Sequence, residues 1–506
     1  MLNITTDLAK IKRQIYTLLA KYAYEGRLAE KIEGLPGHLA NENTPRFRCC
    51  EYKEQAILAE WIKLALGFNP GKFKNMSLSE MVKQIDRLEE DKQVIHVLSK
   101  ACDRCPMDIF LVTEACRNCI AHVCVNSCPK NAITIIQNRA FIDQDKCVEC
   151  GRCEASCPYG AIHKLTRPCQ RACAVNAIEV DDNRRASIDY EKCIGCGNCV
   201  MNCPFGAIED STQIVQTIKM LKTSGTKVKA ILAPSFVGQF GTKITPARIK
   251  SVLLKIGFAE VYEVALGADM VALHEADEFV HKIESGQRFM TSSCCPSFLN
   301  LIFKHFPELT RYASATVSPM LALARLLKKA EPECKVIFIG PCISKKVEAK
   351  NEESVDAVLT FEELGCILNG IGINLADPVP GEEDEMIDAS GTGRSFPYAG
   401  GVRGVIQKLL EEKGKGHLIN PFSADGIGNC KKALQQLADG ELKYNYFEGM
   451  GCPGGCVGGP GILVNSKAAA RLVQKFAAKA RWESALRHEG AETRRKSLGS
   501  VMERKT

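Results

Sequence analysis

The 506-residue sequence has no run of about 18 apolar residues, so no transmembrane helix is expected. Its first residues, Met1-Leu2-Asn3-Ile4-Thr5-Thr6-Asp7, lack a basic stretch followed by an apolar core. No secretory signal is therefore expected, and the expected location is cytoplasmic. Size and composition exclude a small disulfide scaffold, because the chain is long and its second half is ordinarily apolar. Charge of one sign is missing from most of the chain as well. The formal net charge is +7, and Lys467 to Thr506 alone hold 11 Lys or Arg against 4 Asp or Glu. The remainder is formally neutral, which argues against a nucleic-acid binder. The basic tail reads as a solvated helical face, with contact to an acidic redox partner or nucleic acid as the alternatives. No PAS-like or kinase-like segment is present.

Hydrophobic residues at 45% and charged residues at 25% describe an ordinary protein with room for two to four domains. The 26 cysteines do not. At short repeated spacings they point to metal rather than disulfides. Residues 1–98 read as helical, with Leu8, Ile11, Ile15, Leu18 and Leu19, then Ala56, Ile57, Trp61, Leu64 and Ala65, at helical spacing. Cys49 and Cys50 fall here without a CxxC partner and read as a buried or incidental thiol pair.

Residues 99–210 hold sixteen cysteines. The runs are Cys116-x2-Cys119-x4-Cys124-x3-Cys128-Pro129, Cys147-x2-Cys150-x2-Cys153-x3-Cys157-Pro158 and Cys193-x2-Cys196-x2-Cys199-x3-Cys203-Pro204, with a shorter Cys169-x3-Cys173. Each is followed by Asn-Ala-Ile, Gly-Ala-Ile or a close relative. Repetition at this density is one unit reused, and two ferredoxin-like modules end to end are expected. In such runs three cysteines hold one [4Fe–4S] cube and the fourth crosses to its neighbour. That gives Cys116, Cys119, Cys124 and Cys157 for one cube and Cys147, Cys150, Cys153 and Cys128 for a second. Cys193, Cys196, Cys199 and Cys173 form a third. Cys102, Cys105, Cys169 and Cys203 remain for a fourth. Zinc competes for Cys102-x2-Cys105, and His96 is an alternative ligand there. About four such clusters would move single electrons.

Residues 222–465 read as α/β. Val228–Leu232 and Lys335–Ile339 are short buried strands, and Thr245-Pro246 and Ser318-Pro319 are helix starts. Cys295, Cys342, Cys452 and Cys456 lie here beside Gly or Pro in turn-like sequence. The last two sit in a glycine-dense loop that lets backbone approach a bulky ligand. Cys294 and Cys295 are adjacent, so their side chains diverge and one metal does not easily take both. Cys334, Cys366 and Cys430 read as small hydrophobes.

Ser293-Cys294-Cys295-Pro296, Pro341-Cys342-Ile343-Ser344-Lys345-Lys346-Val347-Glu348 and Glu448-x-Met450-x-Cys452-x3-Cys456-x-Gly458-Gly459 resemble the three signature motifs of [FeFe]-hydrogenases, in the family's order. The resemblance covers about residues 100–465. It implies tandem ferredoxin-like 4Fe–4S modules and a two-lobed α/β H-cluster domain; with the helical N-terminus and the basic helical tail over 466–506, which the resemblance does not reach, the expected fold is of α+β multidomain type. It implies that Cys295, Cys342, Cys452 and Cys456 hold the cube of an H-cluster. Cys456 would bridge to a two-iron unit carrying CO, cyanide and an azadithiolate. Lys345 would bond one cyanide, Ala233, Pro234 and Ser235 would lie beneath the other, and Met450 would pack on the two-iron unit. Protons would pass along Cys294, Glu278, Ser314 and Glu348; read without the family, Glu278 is a solvated helix face. The implied partners are a ferredoxin or similar low-potential carrier and the H-cluster maturation proteins, with H₂ and protons as substrates. Gly340, Met320, Phe298 and Gly459-Pro460-Gly461 depart from the family's pattern, all expected near the two-iron unit. The implied activity is reversible interconversion of H₂ with protons and electrons, as a ferredoxin hydrogenase. A non-catalytic iron–sulfur assembly relative and an H₂ sensor are the alternatives.

Overall fold

A computed structural model describes residues 6–87, 91–105, 109–377, 386 and 388–504. The cysteine-rich part contains four antiparallel strand pairs. β1 (Ile95–Val97) pairs with β8 (Ile208–Asp210), and β2 (Ile109–Val112) with β5 (Ile162–Leu165). β3 (Ile133–Ile136) pairs with β4 (Arg139–Ile142), and β6 (Ile178–Val180) with β7 (Ala186–Ile188). This pairing overturns the end-to-end arrangement. β2 to β5 form one ferredoxin-like unit inserted whole into the other, between Cys105 and Cys169. The outer unit closes by pairing its first strand, β1, with its last, β8. The insertion cuts the outer unit's first cysteine motif in two, which is why Cys102-x2-Cys105 and Cys169-x3-Cys173 read as fragments.

Two parallel sheets frame the second half of the chain. The first has the order β10 (Glu260–Glu263), β9 (Val228–Leu232), β12 (Lys335–Gly340), β13 (Ala357–Thr360). The second has the order β11 (Met290–Thr291), β15 (Tyr446–Met450), β14 (Pro421–Asp425). β9 and β15 are buried at every position, as parallel strands covered on both faces must be. The strands β9, β12, β11 and β15 run at their carboxyl ends into Ala233-Pro234-Ser235, Pro341-Cys342, Ser292 to Cys295, and Gly451-Cys452. Open parallel sheets place their ligands at such ends.

The helix Val264–Glu284 packs against the helices Pro319–Ala330, Gly401–Glu412 and Glu489–Leu498. At Gly267 a Cβ would lie 2.2 Å from the Pro319 carbonyl oxygen, so glycine sets this close helix approach. Thr245 and Ser318 cap their helices through their hydroxyls, as their spacing ahead of Pro leads one to expect.

The N-terminal helices do not have a core of their own. Ile15, Leu19, Ile62 and Met81 belong to one buried cluster with the α/β residues, and the helix Asp7–Tyr24 lies along Phe361–Gly370. Trp61 Nε1 donates to the Gly206 carbonyl at 2.8 Å, tying these helices to the outer ferredoxin unit. Cys49 is exposed and Cys50 half-buried, with sulfurs 3.9 Å apart; the thiol pair is not buried.

The tail departs further from expectation. Ser466–Ala477 and Glu489–Leu498 are helical, but the segment beyond them is docked rather than frayed, with Val473, Leu498 and Met502 buried. His488 is buried, stacked on Trp482 at 4.1 Å between ring centroids, with Nδ1 3.3 Å from Asp269 Oδ2. The basic residues obscured this, because the apolar anchors are single residues spaced among charges. No helix of the described residues is long and apolar enough to cross a membrane.

Candidate active site

The repeated Asn/Gly-Ala-Ile after each cysteine motif has a local cause. The sulfurs of Cys128, Cys157, Cys173 and Cys203 each accept the backbone N–H four residues on, from Ala132, Ala161, Ala177 and Ala207, at 3.3, 3.4, 3.2 and 3.3 Å. The residue before each alanine has φ between 49° and 58°: Asn131, Gly160, Asn176 and Gly206. Only Gly and Asn adopt that region readily. An N–H aimed at sulfur favours the thiolate that a cube requires.

The structure collects the sixteen cysteines in the four groups expected from spacing. Cys116, Cys119, Cys124 and Cys157 line one cavity, and Cys128, Cys147, Cys150 and Cys153 another. Burial, with Cys196, Cys193 and Cys173 close by, pushes the Cys199 thiol well up. Burial and the nearness of Cys203 and Cys105 push Cys169 up to about 11, while Cys102 and Cys203 act on Cys105. Beside this fourth group lies Arg167, 1% exposed, whose guanidinium donates to the Arg184 carbonyl at 3.0 Å and whose Nε has no partner among the described residues. A buried cation is costly unless a charge answers it, and an anionic cube between those four sulfurs would supply one. Replacing both Cys102 and Cys105 is expected to lower bound iron by about four atoms per chain, measured on anaerobically purified protein; unchanged iron would return the pair to a structural role. His96 lies in β1, buried, with Nε2 on the Gln93 carbonyl at 3.0 Å.

Among the described residues no three Cys, His or carboxylate side chains converge as tightly as a single ion needs. The largest cysteine site surrounds a void instead. A cavity between the two sheets is lined by Cys295, Cys342, Cys452 and Cys456 together with Cys294, Lys345, Met450 and the Ala233-Pro234-Ser235 turn. Burial and neighbouring cysteines raise the thiols of Cys452 and Cys456, and Cys342 rises to about 11. Thiols crowded in a dry cavity are poorly placed as thiols and well placed as iron ligands. The Cys452–Cys456 loop is pressed on residues 397–399: Gly455 has φ 88°, and a Cβ there would lie 2.7 Å from both Ala399 N and the Pro397 oxygen. Glu448 supports the loop from behind by accepting the N–H groups of Gly400 (3.0 Å) and Arg403 (2.7 Å) at the start of the helix Gly401–Glu412.

The rest of the wall suits an anionic, partly apolar ligand. Ser235 Oγ is fully buried and has no partner among the described residues. Lys345 Nζ lies 3.4 Å from the Cys294 carbonyl oxygen and 2.6 Å from Glu348 Oε2. Met320 and Gly459 are on the wall. Gly340 leaves space that the Phe338 ring occupies, since a Cβ at residue 340 would lie 2.5 Å from that ring, and Phe338 lines the cavity. Phe298 is not part of the wall. It packs edge-on to Phe447 at 5.4 Å and fills the space over Gly449.

The proton groups divide differently from the sequence-based order. Ser314 Oγ donates to Glu278 Oε2 at 2.5 Å, Thr316 Oγ1 donates to the same oxygen at 2.9 Å, and Lys282 Nζ is 2.8 Å from Oε1. Burial alone would raise Glu278, but Lys282 and these bonds hold it below its ordinary value. Glu278 is thus a paired, mostly buried carboxylate, not a solvated face. Glu348 does not continue from Ser314; it accepts from Lys345 and from Ser318 Oγ at 3.0 Å. The missing group is Glu275, fully buried, one helical turn before Glu278. Its Oε1 accepts from Tyr446 Oη at 2.8 Å and its Oε2 has no partner among the described residues. Burial and the nearby Glu278 push it up to about 8. After burial itself, Glu275 is the strongest influence on the Cys294 thiol. A glutamate i−3 to Glu278, just after the apolar stretch 270–273 of the same helix, was the available sequence signal.

These features define a class: an iron–sulfur protein in which ferredoxin-like units feed a buried cluster site between two parallel sheets. Residues 226–460 match the family described as "Iron only hydrogenase large subunit, C-terminal domain", and residues 140–163 and 186–209 match the 4Fe–4S binding domain. Residues 226–460 therefore carry the C-terminal domain of the iron-only hydrogenase large subunit family. It is similar to "Iron hydrogenase 1" of Clostridium pasteurianum, 28% identical over 46% of this chain and 48% of that protein. With the "Periplasmic [Fe] hydrogenase large subunit" of Nitratidesulfovibrio vulgaris it is 28% identical over 64% of this chain and 87% of the relative. With "Cytosolic iron-sulfur assembly component 3" of Rattus norvegicus it is 26% identical over 46% and 60%. The chain thus spans about half the length of the clostridial relative. Among solved structures, an [FeFe]-hydrogenase variant from Chlamydomonas reinhardtii aligns at 22% identity with TM-score 0.49, over 57% of this chain and 95% of that one.

Proposed function

We propose that the chain interconverts H₂ with protons and electrons at an H-cluster that Cys295, Cys342, Cys452 and Cys456 would hold. One observation carries this reading: Cys294, Lys345, Met450 and the unpartnered hydroxyl of Ser235 share one cavity with the four cluster cysteines. When bound, the two-iron unit supplies the metal site at which H₂ is formed or split. The cavity would exclude water from it, with the Lys345 ammonium and Ser235 hydroxyl as donors to its anionic groups.

The remaining residues move charge. Cys196 is close enough to act on the Cys452 thiol, so the cube of Cys173, Cys193, Cys196 and Cys199 would be the last electron carrier before the site. The cubes of the inserted unit would stand further out, where a ferredoxin or similar low-potential carrier exchanges electrons. The Cys294 thiol would hold the proton nearest the site. Glu275 would exchange protons with it, because a carboxyl poised near 8 can both give and take. Glu278, bonded to Ser314 and Lys282, would be the next station outward. Dedicated maturation proteins would install the two-iron unit.

The second reading, an iron–sulfur assembly role, draws on the similarity to assembly component 3. Such a role needs cluster ligands but not a thiol at Cys294 in the same cavity, with Glu275 and Glu278 on the helix behind it. Protein matured anaerobically with the hydrogenase maturases is expected to evolve H₂ from a reduced dye. Full cluster loading without any H₂ evolution or uptake would favour the assembly reading instead.

A further inference from the structure

The segment Gly499–Arg504 runs antiparallel to the stretch that directly follows Ser314. Val317 N donates to the Met502 carbonyl at 2.8 Å and Arg504 N to the Ala315 carbonyl at 2.9 Å, with Thr316 and Glu503 bridged between them. Two fastenings hold it there. Met502 is fully buried, and Arg325 Nη1 donates to the carbonyls of Val501 and Glu503 at 2.6 and 3.0 Å.

The consequence is the position of Arg504. Its Nη2 donates to the Ser293 carbonyl at 2.6 Å and its Nη1 to the Ser314 carbonyl at 3.5 Å. One carbonyl belongs to the loop that presents Cys294; the other belongs to the residue whose hydroxyl bonds Glu278. A single planar side chain therefore spans the two segments between which a proton must cross. The groups whose charge it feels, after its own burial, are Glu348, Cys294, Glu275 and Glu278 in that order.

We propose that Arg504 is a positioning residue of the proton path, delivered by the 499–504 segment to clamp the Cys294 loop to the Ser314 segment and close the path's outer side. The proposal rests on the proton path described above and gives a task to a segment that none of the hydrogenase motifs includes. Proton transfer depends steeply on donor–acceptor spacing, and a misplacement of about 1 Å can cost on the order of 10²-fold. Arginine can hold two carbonyls at once through its rigid fork, whereas lysine keeps the charge as a point donor. Charge and clamp can therefore be separated experimentally.

The test uses the full-length protein and three variants: Arg504→Gln, Arg504→Lys and Arg325→Gln, the last loosening the segment without touching the path. The first readout needs no turnover. In protein carrying its 4Fe–4S clusters but not the two-iron unit, alkylation of Cys294 by iodoacetamide is followed by peptide mass spectrometry. It is expected to speed up at least tenfold in both Arg504 variants, and measurably in Arg325→Gln, at unchanged iron content. In matured protein, kcat is expected to fall at least tenfold in Arg504→Gln with KM for the dye unchanged and a larger solvent isotope effect, and Arg504→Lys should restore only part of it. Unchanged Cys294 alkylation in all three variants overturns the clamp. Faster alkylation with kcat and isotope effect unaltered overturns its role in the proton path. If the wild-type protein turns over no H₂, the hydrogenase reading fails separately, and the alkylation result still decides the clamp.

Discussion

Replacing Glu275 with glutamine is expected to lower H₂ turnover by roughly 10²–10⁴-fold, the usual worth of a positioned proton-transfer group, with iron content unchanged. Cys294→Ala should be comparably damaging, since the two groups act in series. The pH dependence follows from the position of Glu275 near 8. H₂ evolution needs it protonated and should decline as pH rises through about 8. H₂ uptake needs it ionised and should rise over the same range. Stability supplies a second check. A carboxyl raised in the folded state contributes its stabilisation below its unfolded value, near 4.5, and loses it as pH rises through the folded value. Glu275→Gln should therefore match the wild type near pH 4 and be the more stable protein near pH 9. Turnover within threefold of wild type in Glu275→Gln would remove this residue from the path.

The second large effect is on stability. Lys346 is 2% exposed and its Nζ donates to Asp210 Oδ2 at 2.7 Å, to the Ser211 carbonyl at 2.9 Å and to Glu363 Oε1 at 2.7 Å. Asp210 ends β8 of the outer ferredoxin unit, while Lys346 and Glu363 belong to the α/β part. Lys346→Met leaves two buried carboxylates facing each other, with only Lys12 Nζ, 3.9 Å from Asp210 Oδ1, still beside them. Breaking a buried pair in this way costs about 3–5 kcal/mol, and denaturation of anaerobically purified protein should show a loss of that size. The loss should be smaller at pH 5.5 than at pH 8, because protonating either carboxyl relieves the repulsion. A loss below about 1 kcal/mol would mean that the two parts are held together by packing and by contacts such as Lys304 Nζ on the Tyr190 and Cys193 carbonyls rather than by this ion pair.

The sequence showed the local chemistry well and the connections poorly. The ligand runs, the Ser318-Pro319 helix start and the turn beneath the cavity are local patterns, and the structure places them where such patterns lead. The nesting of one ferredoxin unit in the other was hidden because β1 and β8 pair across more than a hundred intervening positions, which no short motif records. The fate of the tail was hidden because Leu498 and Met502 are isolated anchors in a basic stretch. Glu275 went unread because a carboxylate's role depends on burial, and its burial comes from Tyr446, which lies far along the chain and bonds it only in the folded state. The motif order puts Glu348 after Ser314, whereas its pairing with Lys345, three residues before it, emerges only in the folded structure.

Infrared spectroscopy of anaerobically purified protein, matured in vitro with a synthetic two-iron complex, tests the central claim most directly. Bands from iron-bound CO and cyanide should appear, persist in Cys294→Ala, and shift when Lys345 or Ser235 is replaced. Absence of those bands in wild-type protein whose 4Fe–4S clusters are fully loaded would contradict the account.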